Sequence, residues 1–324
     1  LAWQKKYDNN LGIDVTFLDG SLNGRFDWYV STTKGTITNV TTPPSTGFAS
    51  YTANLGEVEN KGWEAYLNWR VWNEKASMSY VTLYVSASGN ENTLKKVSNS
   101  LKSMNDVTDK DYDEKSENTS VPVRYEEGAS MSTIWVVKSL GIDPETGKEV
   151  FRKKDGSLTY DWDSRDYVDG GDTRPKVSGN FGINAEWHGI GLNAGFTWRL
   201  GGQIYNTTLL NKVENADVHK NVDRRVFTDR WNTPGQVARF KAISDDSSTQ
   251  PTSRFVEDYN LLTFSSLNVY YDFRECGFVK NSFLQRMKAT FYMNDIATIS
   301  SVKTERGTSY PFARTFSFSL QVTF

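Results

Sequence analysis

The sequence predicts an all-β fold: an antiparallel transmembrane β-barrel segment of about nine strands, with long loops at one end and short turns at the other. Three observations carry that expectation. Apolar and polar residues alternate with period two through eight stretches of the chain, and a ninth is apolar on both sides. The positions read as outward carry no Asp, Glu, Lys or Arg in any of the eight. The connections between stretches are short and long in strict turn.

Each strand follows from its own pattern. YDNNLGIDVTF at 7–17 sets Leu11, Ile13, Val15 and Phe17 against Asp14 and Thr16, and SLNGRFDWYV at 21–30 sets Leu22, Phe26, Trp28 and Val30 against Arg25, Asp27 and Tyr29. GWEAYLNWRVW at 62–72 places Trp63, Ala65, Leu67, Trp69 and Val71 opposite Glu64, Asn68 and Arg70. SMSYVTLYVSA at 77–87 is apolar on both faces, and its outward side stays unassigned. VSGNFGINAEW at 177–187 and IGLNAGFTWRL at 190–200 resume the alternation, with Phe181, Ile183 and Trp187, then Leu192, Phe196 and Trp198, on the apolar side. SSLNVYYDF at 265–273 gives Leu267, Val269, Tyr271 and Phe273, and FLQRMKATFYM at 283–293 gives Met287, Ala289, Phe291 and Met293. RTFSFSLQVTF at 314–324 alternates throughout, with Phe316, Phe318, Leu320, Val322 and Phe324 on one face.

Strands of about 9 to 11 residues suit a tilted bilayer crossing. Trp63, Trp69, Trp187 and Trp198 lie toward strand ends, where interfacial aromatics belong. The opposite face carries Asp14, Arg25, Asp27, Glu64, Arg70, Glu186, Arg199, Asp272, Arg286 and Lys288, a mixed-charge wall suited to a water-filled or plug-filled lumen. Links 18–21, 72–76, 188–189 and 274–282 are the short ones; 31–56, 88–174, 201–260 and 294–313 are long. Compact soluble domains seldom carry such loops, whereas outer-membrane barrels combine short periplasmic turns with long extracellular loops. An odd strand count leaves two open sheet edges, so strands 7–17 and 314–324 are expected not to pair with each other.

Composition narrows the function classes. The 324 residues are 37% hydrophobic, 14% aromatic and 23% charged, with a net charge of -2 and a mean hydropathy of -0.57. No basic face or run points to nucleic acid. Cys276 alone excludes an internal disulfide, and His188 and His219 complete no catalytic constellation with it. No stretch reaches the roughly 18 apolar residues of a membrane helix, which leaves strands as the means of crossing.

The long loops read as folded. ENTLKKVSNSLKSMND at 91–106 has Leu94, Val97, Leu101 and Met104 at helical spacing, 142–162 is hairpin material with turns at PETG and KKDG, and TTPPSTGF at 41–48 is a rigid loop. Asp109, Asp111 and Asp113 have calcium-loop offsets, but Glu114 stands where glycine is needed and Ser120 where glutamate is, so no metal is expected. Asp161, Asp163 and Asp166 would serve a glycosidase only if they converged in space. Arg224, Arg225 and Arg230 with Asp223 and Asp229 are expected to form an ion-pair network fixing the 201–260 loop. Trp135, Tyr160, Trp162 and Tyr167 are the ligand-binding candidates, flat aromatics able to stack on sugar rings.

Seven longer motifs add a resemblance: NLGEVENKGWE (54–64), GIDPETGKEVFRKKDG (141–156), GDTRPKVSGNFG (171–182), RLGGQIYNTTLLNKVEN (199–215), NVDRRVFTDRWNTPG (221–235), TSRFVEDYN (252–260) and MNDIATISSVKTERGTSYPFAR (293–314). Together they resemble the C-terminal third of SusC/RagA-type TonB-dependent outer-membrane transporters. The resemblance implies that residues 1–324 are part of a 22-stranded barrel whose plug domain and N-terminal strands lie outside this chain. It implies a Gram-negative outer membrane, import of oligosaccharides or peptides, a SusD-like lipoprotein at the extracellular face, and TonB acting through the missing N-terminal region. It implies no cofactor and no enzyme activity. In that setting Phe316, Phe318, Leu320, Val322 and Phe324 form a lipid-facing last strand resembling the signal read by the barrel-assembly machinery. The alternative from another class is a secreted soluble all-β glycan-binding module.

Overall fold

The computed structural model describes residues 2–41, 47–48, 50–54, 56–77, 79–115, 117–303 and 314–324. The chain opens with β1 (Lys5–Phe17), β2 (Leu22–Lys34) and a small hairpin, β3 (Ile37–Thr41) and β4 (Ser50–Asn54), before the long hairpin β5 (Gly56–Glu74) and β6 (Ser79–Val97). Helix α1 (Asn99–Glu114) and the short strands β7 (Thr133–Val137), β8 (Ser139–Ile142), β9 (Glu149–Arg152), β10 (Leu158–Thr159) and β11 (Tyr167–Asp172) follow. Then come β12 (Val177–Trp187), β13 (Ile190–Tyr205), the short β14 (Arg230–Trp231) and β15 (Phe240–Ala242), and finally β16 (Val256–Asp272), β17 (Arg286–Ser300) and β18 (Phe316–Thr323). Nine of these make one antiparallel sheet in the order β1-β2-β5-β6-β12-β13-β16-β17-β18. β1 and β18 are its two edges and do not pair, in agreement with the odd count.

The register shows why the sheet has two different surfaces. Phe17, Leu22, Trp69, Leu83, Ile183, Ala194, Leu267, Met293 and Phe316 are successive cross-strand partners, one uncharged row spanning the whole sheet. On the other face Asp14, Arg25, Tyr66, Ser86, Asn180, Thr197, Thr263 and Thr298 form a polar row. This settles β6: Val81, Leu83 and Val85 belong with the apolar row, while Tyr80, Tyr84 and Ser86 share the polar face. A bulge between Arg70 and Trp72 makes one adjustment to the sequence reading, since Trp72 rather than Val71 pairs with Val81.

Tryptophans bracket the apolar band. Trp69, Trp72 and Trp187 stand near the short turns, and Trp28, Trp63 and Trp198 near the long loops. From Trp63 to Trp69 is a rise of about 20 Å along the strand, close to the height of a barrel's lipid band. Beyond Trp63 the outward positions of β5 become Lys61, Glu59 and Glu57. The strands outlast the pattern: β5 and β6 each run 19 residues, longer than their apolar alternation. The short turn at His188 and Gly189 has positive φ at both residues (47° and 87°), the backbone a two-residue hairpin needs.

The only close-packed apolar clusters among the described residues lie in the loops. Ile134, Val136, Tyr205, Leu209, Leu210, Val213, Val226, Phe240 and Phe255 form one core; Trp135, Val137, Phe151 and Tyr167 form a second. The β8, β9 and β10 sheet is the expected 142–162 hairpin material. The helix expected over 91–106 starts later: Asn92, Thr93 and Leu94 are paired with β5, and α1 begins only after Ser98, whose side chain accepts from the Leu101 amide. Leu94 and Leu101 are both buried but belong to β6 and α1, so their helical spacing is not that of a common helix. Most of the rigid loop expected at 41–48 lies outside the described residues.

Candidate functional site

The site is a wall and a cap. On the wall, all ten charged residues predicted inward share the face opposite the uncharged row. Arg25 Nε donates to Asp27 Oδ2 at 2.6 Å and stands 3.9 Å from Asp14 Oδ1. Arg25 and Asp27, with Tyr29, Glu64, Tyr66 and Ser86, line a concavity of about 580 Å³. At the short-turn end Asp272, its side chain fully buried, accepts from Arg274 Nη2 at 2.8 Å and Arg286 Nη2 at 2.6 Å. Tyr270 donates to Glu186 at 2.6 Å, and the Lys288 ammonium sits 3.6 Å from the centre of the Tyr270 ring. Fixed hydrogen-bonded charges of both signs make a surface that water or a second polar body can wet without a preference for one ionic sign.

In the cap, three loop segments meet on one guanidinium. Arg254 Nη2 donates to Glu149 Oε2 at 2.5 Å and to Glu214 Oε1 at 2.6 Å, and Nη1 donates to the Arg239 carbonyl at 2.9 Å. Thr252 and Thr249 hydroxyls donate to the same two carboxylates. Side-chain exposure is 9% for Arg254, 8% for Glu149 and 0% for Glu214. Burial pulls the guanidinium down, and the two carboxylates outweigh it and hold it above its ordinary value. This triad ties the 88–174 loop to the 201–260 loop. Its members lie inside three of the seven motifs, but no local spacing points to them, because Glu149 and Arg254 are 105 residues apart.

The expected network at 223–230 is different in kind. Arg225 pairs with Asp223 two residues away, and this side chain first, then the Arg225 amide, pushes Asp223 down to about 2. Arg230 is 1% exposed and caps backbone instead, donating to the carbonyls of Lys241, Ala242 and Asp245. A planar five-donor fork satisfies three carbonyls at once, which is why it replaces an ion pair there.

The four loop aromatics divide. Trp135 (4% exposed) and Tyr167 (1%) are core residues that flank the Arg124 guanidinium at 5.8 and 5.5 Å, so neither offers a ring face to a ligand. Burial also pushes the Tyr167 phenol up. Trp162 is half-buried and donates to the Pro251 carbonyl at 3.0 Å, a second link between the two loops. Tyr160 is exposed, its hydroxyl donating to Asp143 at 2.7 Å. The acidic clusters do not converge: Asp109 pairs with Arg124, Asp111 with Lys115, and Asp113 accepts from Ser164, all around α1. Asp163 pairs with Arg165 while Asp166 accepts from the Lys154 amide.

The comparisons bear on this geometry. No family model matches the chain. It is 23% identical over 91% of its length to TonB-dependent receptor P39 of Formosa agariphila, and 38% identical over 69 residues, 21% of its length, to TonB-dependent receptor SusC of Bacteroides thetaiotaomicron. The solved RagAB peptide transporter superposes on 94% of it with a TM-score of 0.74 at 18% identity, a likeness of fold. The chain resembles SusC/RagA-type TonB-dependent receptors. Its nine-stranded antiparallel sheet is wall of a Gram-negative outer-membrane β-barrel, with the uncharged row on one face and the charged residues on the other. The chain spans about a third of the length of the curated relatives it matches.

Proposed function

We propose that residues 1–324 are the C-terminal part of the barrel of a TonB-dependent nutrient importer, completed by further strands and a plug domain supplied outside these residues. A SusD-like lipoprotein caps the loop layer, TonB acts through the absent region, and the cargo is an oligosaccharide or a peptide. The observation that carries this reading is the uncharged row across nine strands, backed by a hydrogen-bonded polar wall and surmounted at one end by loops with their own cores. A relative named SusC and a neighbour described as a peptide transporter support it.

Each part has a role in that reading. The Asp27 and Asp272 clusters hold a polar plug against the wall while leaving its bonds exchangeable with water. The Glu149, Arg254 and Glu214 triad fixes the vestibule so that the lid closes on a rigid rim. Tyr160, with the exposed edge of Trp162, is the loop aromatic placed to meet cargo or lid. Phe316, Phe318, Leu320, Val322 and Phe324 serve as the strand recognised during barrel assembly.

Uptake of labelled oligosaccharides and oligopeptides by cells with and without the complete transporter gene tests the proposal. Uptake should vanish on deletion, return with the wild-type gene, and require TonB. Uptake indifferent to the gene, or recovery of the protein in the soluble secreted fraction, would overturn it in favour of a soluble glycan-binding module.

A further inference from the structure

The charged face of the sheet is not uniform. Across β6, β12, β13 and β16, three successive cross-strand rows carry no Asp, Glu, Lys or Arg, from the row of Asn180 and Thr197 down to the row of Asn184, Asn193 and Asn268. Charge resumes in the next row on either side, with Arg199 toward the long loops and Glu186 toward the short turns. Both of those are engaged: the Arg199 guanidinium lies 5.9 Å from the Tyr259 ring centre, and Glu186 accepts from Tyr270 at 2.6 Å. Inside the strip the hydrogen-bonding capacity is unspent. The Asn180, Asn184 and Asn193 carboxamides have no partner among the described residues, and Asn268 Oδ1 is buried without one. The strip is also flat. Tyr84 of β6 lies over β12, where a Cβ on Gly182 would stand 2.4 Å from its hydroxyl; at the short-turn border Tyr270 of β16 lies over β13, where a Cβ on Gly191 would stand 1.9 Å from its ring. Glycine on the neighbouring strand lets each ring lie along the wall instead of projecting from it.

We propose that this strip is the surface along which cargo passes between barrel and plug, meeting it through neutral hydroxyl or amide groups. Two arguments select a passing chain over the plug itself. A body that stays in place is held by interlocking relief and by charge-assisted hydrogen bonds, and the strip supplies neither. The Asp27 and Asp272 clusters, elsewhere on the same face, supply the charge. Neutral carboxamides and hydroxyls exchange a bond to water for a bond to cargo with little net change, so a chain of hydroxyls or peptide groups advances from one to the next without being trapped.

The proposal rests on the importer reading, and its test keeps the two apart. In the complete receptor with Cys276→Ser, the variants Asn184→Cys, Asn193→Cys and Asn268→Cys are made singly, with Glu64→Cys, the register partner of Asp27, as reference. Cells are treated with the impermeant cationic thiol reagent MTSET or the small neutral reagent MMTS, and uptake of labelled oligosaccharides and oligopeptides is then measured. Each strip cysteine should react with MTSET at least about tenfold faster than Glu64→Cys, and the attached cation should lower uptake at least about tenfold while MMTS leaves most of it. Surface amount and heat-modifiable mobility should stay unchanged. Strip cysteines as slow as Glu64→Cys would show the plug covering the strip and overturn the proposal, as would complete modification with normal uptake. Should the cysteine variants not assemble, cryo-electron microscopy of the complete wild-type receptor decides: water along the strip supports the proposal, and plug side chains packed on Asn184, Asn193 and Asn268 overturn it. Uptake indifferent to the gene would instead remove the importer reading, before any cysteine is placed.

Discussion

Arg254 is the side chain on which the loop layer depends most. Replacing it with alanine leaves two carboxylates buried without a counter-charge, which costs about 3 to 5 kcal/mol. Arg254→Met combined with Glu149→Gln and Glu214→Gln should recover much of that loss. Denaturant titration of the cap, followed by tryptophan fluorescence, checks both. Acid acts on a different set of groups. The Tyr160 hydroxyl, then the Glu145 amide and the Thr146 hydroxyl, hold Asp143 below its ordinary value; Arg165 does the same for Asp163, and Arg225 takes Asp223 to about 2. A carboxylate depressed in the fold stabilises it above the unfolded value near 4 and loses that contribution as pH falls through the folded value. Hydrogen exchange in the 143–147 turn, corrected for intrinsic rate, should therefore rise as pH falls below about 4. Tyr160→Phe should move the onset to higher pH.

At the scale of the element, the strands were legible because a bilayer imposes a rule on every second residue. The alternation of Leu11, Ile13, Val15 and Phe17 or of Phe316, Phe318 and Leu320 reports contact with hydrocarbon, and it ends where the strand leaves lipid, not where the strand ends. That is why β5 and β6 are longer than their patterns. β6 itself was ambiguous because Tyr80 and Tyr84 are large on the inner face too, and only the register against β5 and β12 separates the two sides. The cap was legible as folded but not in detail. Leu94 and Leu101 mimic a helix from different elements, and Trp135 and Tyr167 are indistinguishable by sequence from exposed loop aromatics. The triad was invisible, since its partners come together only through tertiary structure. Three substitutions test the strand account. Leu67→Arg on the lipid row should cost about 2 to 4 kcal/mol if it lies near the midplane, whereas the neighbouring Asn68→Arg should cost far less. Gly179→Ala should disrupt pairing with β6, since an added Cβ would lie 1.9 Å from the Ser86 carbonyl oxygen. Heat-modifiable mobility on gels, which reports the assembled barrel, reads all three.

For the whole molecule, an open nine-stranded sheet edged by β1 and β18 has little core of its own, and in the barrel reading lipid covers one face and whatever fills the lumen covers the other. The loops are where the chain packs against itself, so the wall and the cap should respond separately to perturbation. Loss of Arg254 should loosen the cap while leaving barrel mobility intact, an uncoupling that a single globular core would not permit.

The central claim is that the sheet has two solvents. Spin labels placed singly along β5 from Trp63 to Arg70, in a Cys276→Ser background of the complete receptor in bilayers, measure this directly through their accessibility to oxygen and to a water-soluble nickel chelate. The account predicts a period of two, with oxygen favoured at Trp63, Ala65, Leu67 and Trp69 and excluded in favour of the chelate or of protein contact at Glu64, Tyr66, Asn68 and Arg70. Labels at the first set shielded from oxygen, as they would be against a second sheet in a soluble globule, would contradict it.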